Sequence, residues 1–507
     1  MSVELLVAQA AEAEANLDLP KALNTYEEAL KLAPEALDIA LRLAVLAFRL
    51  SMWPMAEKFY AHLITHGIHD MPIITGYAAS LREQSKYDEA VDVLKTVLDQ
   101  RPEEATLWEG LGAVMVAKGD GGNSLIFFNE ALRLQPDNLH ARFNRACALI
   151  DQGERAAGLK ELAACADAFD DPDNHASAQI AYAQALLMSG DLENGWRTYD
   201  SRERYGTALQ VHYSVTSRRW REGQSLAERN LLVSGEQGLG DEVLFASILP
   251  DLIRDIGPDG ALWLGVEPRL ATLFQRSFPN ARVISHRTQT IDGILQRSFP
   301  ELENGATDGW AVMGDFLPLY RKHISDFPAE NIYLKPDPAR VRYWRDQMAA
   351  VSDKPKIGIL WKSLKSGAQR DRYFSAFEDW LDILKLDGLT FVNLQYGDSD
   401  AEMAWAATNG LTIHQPGAID LKDDLDDLAA LCASMDVILA PSNATSNISA
   451  ACGVPTWLLS PACGWLQLGQ DHYPWYPNVR LFSPSSLTDW KSALDHMRDA
   501  LIDQFQL

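Results

Sequence analysis

The sequence predicts an all-α repeat solenoid followed by a pair of α/β lobes. Three observations carry this. Small, aromatic and proline residues recur at a period of 34 through the first two hundred residues. Short apolar runs then alternate with helical patterns to the end of the chain, which implies parallel sheets. A proline-interrupted stretch from Pro328 to Pro338 divides that second part in two. The expected division is a repeat domain over 1–206, a linker over 207–228, a first lobe over 229–335 and a second lobe over 336–507. A chain of 507 residues, 47% apolar, is long enough for two or three cores.

Charge and composition narrow the function. The net charge of -25 argues against nucleic acid and against an anionic membrane surface, both of which would be repelled. The N-terminus lacks a basic-then-apolar leader and no run of eighteen apolar residues occurs, so the expected location is the cytoplasm. Five cysteines, with no C-x-x-C spacing, read as reduced thiols.

In the repeat region Ala22, Ala56, Ala90, Ser124 and Gly158 are each 34 apart, as are Tyr26, Tyr60, Leu94, Phe128 and Leu162. Small residues sit where two helices approach closely, larger ones fill the next turn, and Pro34, Pro102 and Pro136 end repeats because proline cannot continue a helix. A sixth copy, slipped by three residues, is recovered at Tyr182, Ala183, Gly190, Asp191, Gly195 and Trp196. The pattern resembles the tetratricopeptide repeat. Six helix pairs over about 3–204 make a solenoid whose concave face suits a polypeptide.

The stretch 207–228 loses the helical period and reads as a linker, with Trp220 as its one large anchor. Leu231 to Val233 is a strand; Gly235, Gly238 and Gly240 interrupt it, Asp241 follows, and Val243, Leu244, Ser247 and Ile248 fall at helical spacing. Such a turn brings backbone close to a ligand, and the helix start offers free N–H groups to a phosphate. The order is neither a P-loop nor the dinucleotide fingerprint. Asp241 has two readings: a general base, or a cap of the helix it opens. Further strands are expected at 261–266 and 283–285, a short helix within 315–324, and a helix over 338–348.

In the second lobe, strands are expected at 357–361, 390–394, 436–440 and 456–459, and helices at 377–386, 423–433 and 444–452. Ligands bind beyond the carboxyl ends of such strands. Two loops fall there besides the glycine turn. Lys362 to Arg372, KSLKSGAQRDR, carries Lys362, Lys365, Arg370 and Arg372 against one acid and reads as a diphosphate clamp or as a solvated basic loop. In Pro441 to Ser449, PSNATSNIS, Ser442, Asn443, Thr445 and Asn447 are candidate phosphate contacts, or Ser442 or Asn443 is an N-cap. Asp423, Asp424, Asp426 and Asp427 fit the first turn of a helix better than a metal site. Trp465, Gln467 and Tyr473 are either pocket or core.

At these residues the second half resembles the heptosyltransferase-like, family 9 glycosyltransferases, and more narrowly the bacterial proteins that fuse tetratricopeptide repeats to such a domain. The blocks are Gly195-Trp196 with Tyr199, Glu236 to Asp241 (EQGLGD), Ile357 to Trp361 (IGILW), Asn393 to Gly397 (NLQYG), Ala451 to Trp457 (ACGVPTW) and Pro474 to Pro477 (PWYP). The resemblance implies a GT-B pair of Rossmann-like lobes and an inverting, metal-independent transfer from a nucleotide-sugar, with no other cofactor. It implies Asp241 as the base and Arg372 in place of a phosphate-contacting lysine. Gly238, Gly240, Gln395 and Tyr396, in the same blocks, are implied as nucleotide-sugar contacts. Ser442, Asn443 and Asn447 depart from the family's Asp, Thr and His, so ADP-heptose is not the implied donor. Repeat-fused relatives that modify flagellin with a nonulosonic acid imply a CMP-sugar and a flagellin-like acceptor held by the repeats. Two other expectations stand beside this: a non-catalytic adaptor with a decayed transferase lobe, and transfer onto lipopolysaccharide.

Overall fold

The computed structural model describes residues 2–16, 18–203, 211–236, 238–291, 294–363, 372–462, 464–486 and 489–507. Lys365 and Arg370 lie outside them, as do Gln237 and Cys463.

The repeat half consists of α1 (Val3–Ala15), α2 (Leu19–Leu32), α3 (Leu37–Arg49), α4 (Trp53–Thr65), α5 (Met71–Glu83), α6 (Tyr87–Leu98), α7 (Ala105–Lys118), α8 (Gly121–Leu134), α9 (Leu139–Asp151), α10 (Arg155–Cys165), α11 (Pro172–Met188) and α12 (Leu192–Tyr199). They pack as six successive pairs. The residues recurring at 34 form the seam: a Cβ on Gly112 would lie 2.5 Å from the Phe128 ring, and one on Gly158 would lie 2.7 Å from the Ala146 carbonyl. Asp18, Asp120, Asn138, Asp171 and Asp191 cap their helices through side-chain oxygens, each removing an orphan N–H.

The first lobe carries β1 (Val211–Tyr213), β2 (Arg218–Arg219), β3 (Asn230–Ser234), α13 (Leu239–Phe245), α14 (Leu249–Ile256), β4 (Ala261–Val266), α15 (Ala271–Ser277), β5 (Ala281–Ser285), β6 (Arg287–Ile291), β7 (Ile294–Ser298), β8 (Gly309–Val312) and α16 (Leu317–Tyr320). Five strands pair in parallel in the order β2-β8-β3-β4-β5, and β1-β7-β6 form a small side sheet. The stretch expected as a linker therefore supplies a strand to each sheet. These strands are too short to show a periodicity. Trp220 behind them is buried and stacked on Phe316, ring centroids 4.7 Å apart.

The second lobe carries α17 (Pro338–Val351), β9 (Lys356–Ile359), α18 (Leu381–Leu384), β10 (Thr390–Asn393), α19 (Asp400–Thr408), β11 (Ile413–His414), α20 (Leu425–Cys432), β12 (Val437–Pro441), α21 (Ala444–Ala451), β13 (Thr456–Leu459), β14 (Val479–Phe482) and α22 (Trp490–Phe505). Its sheet order is β11-β10-β9-β12-β13-β14, wholly parallel. Counted from β9 this is 3-2-1-4-5-6, the doubly wound order, with its switch point between β9 and β12. Every residue of β9, β12 and β13 is buried, which is why those segments are continuous apolar runs.

The three parts share one core. A single buried cluster runs from Leu187, Trp196 and Tyr199 of the repeats through Val243 and Phe245 to Ile438, Leu458 and Trp475. Trp475 has Trp196, Phe245 and Phe327 around it, at centroid distances of 6.2, 5.9 and 5.1 Å. The extended crossing between the lobes is pinned there as well. Asn331 donates to the Trp475 carbonyl at 2.7 Å, and the Tyr333 hydroxyl lies 2.7 Å from the Val243 carbonyl and 2.9 Å from the Tyr476 hydroxyl.

Candidate functional site

The glycine turn of the first lobe meets the Asn-rich loop of the second. Gly235 has no room for a side chain, since its Cβ would lie 2.1 Å from Glu242 Cδ. The Gly238 N–H donates to Asp241 Oδ2 at 3.2 Å, which places Asp241 third in a capped helix. A Cβ on Gly240 would sit 3.3 Å from Asn447 Nδ2 and 3.5 Å from the Ala444 nitrogen, so this glycine lets α13 lie against the start of α21. Asn443 is the N-cap of α21: its side chain accepts from the Ser446 N–H at 3.1 Å, and the Ser446 hydroxyl oxygen accepts from the Asn443 N–H at 2.9 Å. Asn447 donates to the Asn443 carbonyl at 3.0 Å, and Thr445 and Asn447 are buried. Of the four loop residues, Ser442 is exposed. Tyr473 lies beside both Ser442 and Asp241, and burial raises its hydroxyl above the ordinary phenol range.

The basic loop leaves β9 at the switch point, and its two described cations already have acidic partners. Lys362 Nζ pairs with Glu402 of α19. Arg372 lies 3.2 Å from Asp151 of α9 and donates to the Val116 carbonyl at 3.3 Å and to the Tyr373 hydroxyl at 2.6 Å. Gln395 is a brace: its Oε1 accepts from the Trp361 and Lys362 N–H groups at 3.1 and 3.0 Å, and its Nε2 donates to the Lys362 and Tyr396 carbonyls at 3.2 and 2.9 Å. Tyr396 is half-buried just beyond it.

A cavity of about 530 Å³ opens where these strand ends face the repeats. One wall is Cys147 and Asp151 of α9 with Gln184 and Met188 of α11; the other is Tyr373, Phe374, Ser442, Ser460, Trp465 and Ser485. Its volume falls within the range of small-molecule sites, about 300–1,000 Å³. Among the described residues the lining is largely apolar, with hydroxyls and a single ion pair. Burial raises the Asp151 carboxyl against the pull of Arg372, and pushes the Cys147 thiol up to about 12. Trp465 lines this space, whereas Gln467 and Tyr473 are core. Asp151 and Gln184 carry no sequence signal of their own. They reach the site only because the last repeats fold back onto the second lobe, where the Gly469 Cβ position lies 2.9 Å from the Gly190 nitrogen.

Away from the cavity, ion pairs join the parts of the molecule. Glu236 accepts from Arg202 at 2.7 and 2.9 Å and from the Gly314 N–H at 2.6 Å. Asp315 accepts from Arg219 at 2.9 Å, and burial raises its carboxyl against both arginines. Across the lobes Arg269 meets Asp423 at 3.3 Å, Arg276 meets Asp426 at 2.6 Å, and within the second lobe Arg340 meets Asp427 at 2.6 Å. Asp424 caps α20. Among the described residues no group of three or more His, Cys, Asp or Glu could hold a metal ion, and no helix is long and apolar enough to cross a membrane.

Such a chain is a tetratricopeptide-repeat protein whose last repeats are built onto a two-lobed parallel α/β half. The tetratricopeptide-repeat family matches residues 7–64 and 78–138, the first four helix pairs; the pairs that line the cavity lie beyond the match. Protein FlbA of Caulobacter vibrioides is 43% identical over 488 residues, covering 96% of this chain and 82% of that protein. The chain belongs to the family of Protein FlbA. Solved structures resemble it more distantly. A thermophilic tetratricopeptide-repeat protein of Thermus thermophilus, TTC0263, is 21% identical, with a TM-score of 0.31 over 37% of this chain and 100% of that one. YrrB, described as having an unusual peptide-binding site, is 16% identical, with a TM-score of 0.26 over 36% of this chain and 88% of that one.

Proposed function

We propose that the chain is a GT-B-type protein glycosyltransferase, in which the cavity takes a nucleotide-sugar and the repeats present a polypeptide acceptor to it. The observation that carries the reading is the position of the cavity. It lies at the carboxyl ends of a doubly wound sheet, where such folds bind nucleotides, and helices of the repeat solenoid form its other wall. Asp241 does not line the cavity; it acts electrostatically on Tyr473, which lies beside the lining residue Ser442. In this reading the Asp241 carboxylate takes the proton of an acceptor hydroxyl, the acceptor oxygen bonds to the anomeric carbon with inversion, and the bond to the nucleotide phosphate breaks. Arg372 and Ser442 meet the departing phosphate. The resemblance to flagellin-modifying enzymes makes flagellin the acceptor and a CMP-nonulosonate the donor to try first.

A second reading, a polypeptide-binding adaptor without turnover, is favoured by the engagement of Asp241 as a cap and by the pairing of Lys362 and Arg372 with acids. Intact-mass spectrometry separates the two. The purified chain, a flagellin and a panel of nucleotide-sugars should yield flagellin heavier by whole sugar residues. Stable binding of flagellin without any mass increase across the panel would leave the adaptor.

A further inference from the structure

Arg372 belongs to the second lobe but is held by the repeats. Its carbonyl accepts from Trp490 Nε1 at 3.0 Å, which anchors its backbone to α22. Its guanidinium reaches the other way, to the Val116 carbonyl of α7 and the Asp151 carboxylate at the end of α9. Its Nε is buried and makes no hydrogen bond. Among the described residues lining the cavity, Asp151 and Arg372 are the only charged side chains, so the lining is formally neutral.

We propose that Asp151 is a negative regulator built into the cavity by the repeat domain: it competes with an incoming phosphate for Arg372 and so sets the affinity for phosphate-bearing ligands. This rests on the reading that the cavity takes such a ligand. A phosphate reaching Arg372 meets a carboxylate 3.2 Å from the same guanidinium. Either it displaces Asp151 or it shares the guanidinium with that charge; both weaken binding. Among the described residues, removing the carboxylate charge leaves one cation in a largely apolar lining, where a charge-assisted bond is strongest. Because Asp151 sits on the repeats, any shift of α9 caused by a polypeptide in the solenoid changes the same balance, which links the two ligands thermodynamically.

The test is calorimetric titration of the full chain with CMP, CDP and UDP at fixed ionic strength. Asp151→Asn keeps the side-chain shape and removes the charge; Asp151→Ser removes both, and thermal melting checks that each variant is folded. Both should bind the best nucleotide about tenfold more tightly than wild type, the effect of removing one close like charge. Arg372→Gln should weaken it, and Asp151→Asn combined with Arg372→Gln should bind no better than Arg372→Gln alone. Nucleotide binding that Arg372→Gln weakens, but that neither Asp151 variant strengthens, would overturn the competition and leave the cavity reading intact. Absence of binding by wild type and by every Asp151 variant would overturn both.

Discussion

Glu236→Ala should loosen the joint between the repeats and the first lobe. The carboxylate accepts two bonds from Arg202, at 2.7 and 2.9 Å, and one from the Gly314 N–H at 2.6 Å. Both charged side chains are nearly sealed, at 5% and 4% exposure. Truncation leaves a buried guanidinium and a buried N–H without their acceptor. Breaking a buried pair from one side costs roughly 3–5 kcal/mol. Arg202 keeps a long contact to Asp315 at 3.4 Å, so the expected loss is about 3 kcal/mol, near the low end of that range. Glu236→Gln retains an acceptor for Gly314 and should cost only about 1–2 kcal/mol. In calorimetry the first unfolding transition of Glu236→Ala should fall, and limited proteolysis should release a fragment of about the size of the repeat domain. A variant that melts with wild type and resists cleavage would refute the assignment of Glu236 to the joint.

Gly240→Val places methyl groups against Asn447 and the start of α21; overpacking of this kind costs about 1–3 kcal/mol, and small-angle scattering should report lobes further apart. Asp427→Ala deprives Arg340 of its acceptor and leaves the buried Trp344 indole N–H, now 2.9 Å from Asp427, without one, so thermal unfolding should show a loss of roughly 1–3 kcal/mol. Burial holds the Cys147 and Cys432 thiols up at about 12 and raises Cys165 and Cys452. In a Cys463→Ser background alkylation of the buried Cys165 and Cys432 at about pH 8 should therefore be negligible until the protein unfolds; rapid labelling of either in native protein would contradict that burial.

What was legible in the sequence follows from how each feature is encoded. The repeat period is visible because close helix pairs leave no room at fixed positions, as Gly112 against Phe128 shows. The central strands are visible because both faces of β9, β12 and β13 are covered. The two-residue strands β2 and β11 exist through pairing with neighbours and have no pattern of their own. Charge partners were hidden for a similar reason. Lys362 and Arg372 look free in a basic loop, but Glu402 and Asp151 reach them from another helix and another domain. Asp423, Asp426 and Asp427 look like a helix-start cluster, yet each also answers an arginine, two of them across the lobe contact. The glycine turn and the Asn-rich loop were both legible as strand-end loops; that they touch through Gly240 was not.

The most direct test of the shared cavity is a crystal structure of the full chain grown with a nucleotide-sugar that binds in calorimetry. The nucleotide is expected between the β12 and β13 ends and the α9–α11 wall, with its phosphate at Arg372 and its sugar turned toward Asp241. A nucleotide seated elsewhere on the molecule, with the space between Asp151, Tyr373 and Ser460 holding only solvent, would contradict it.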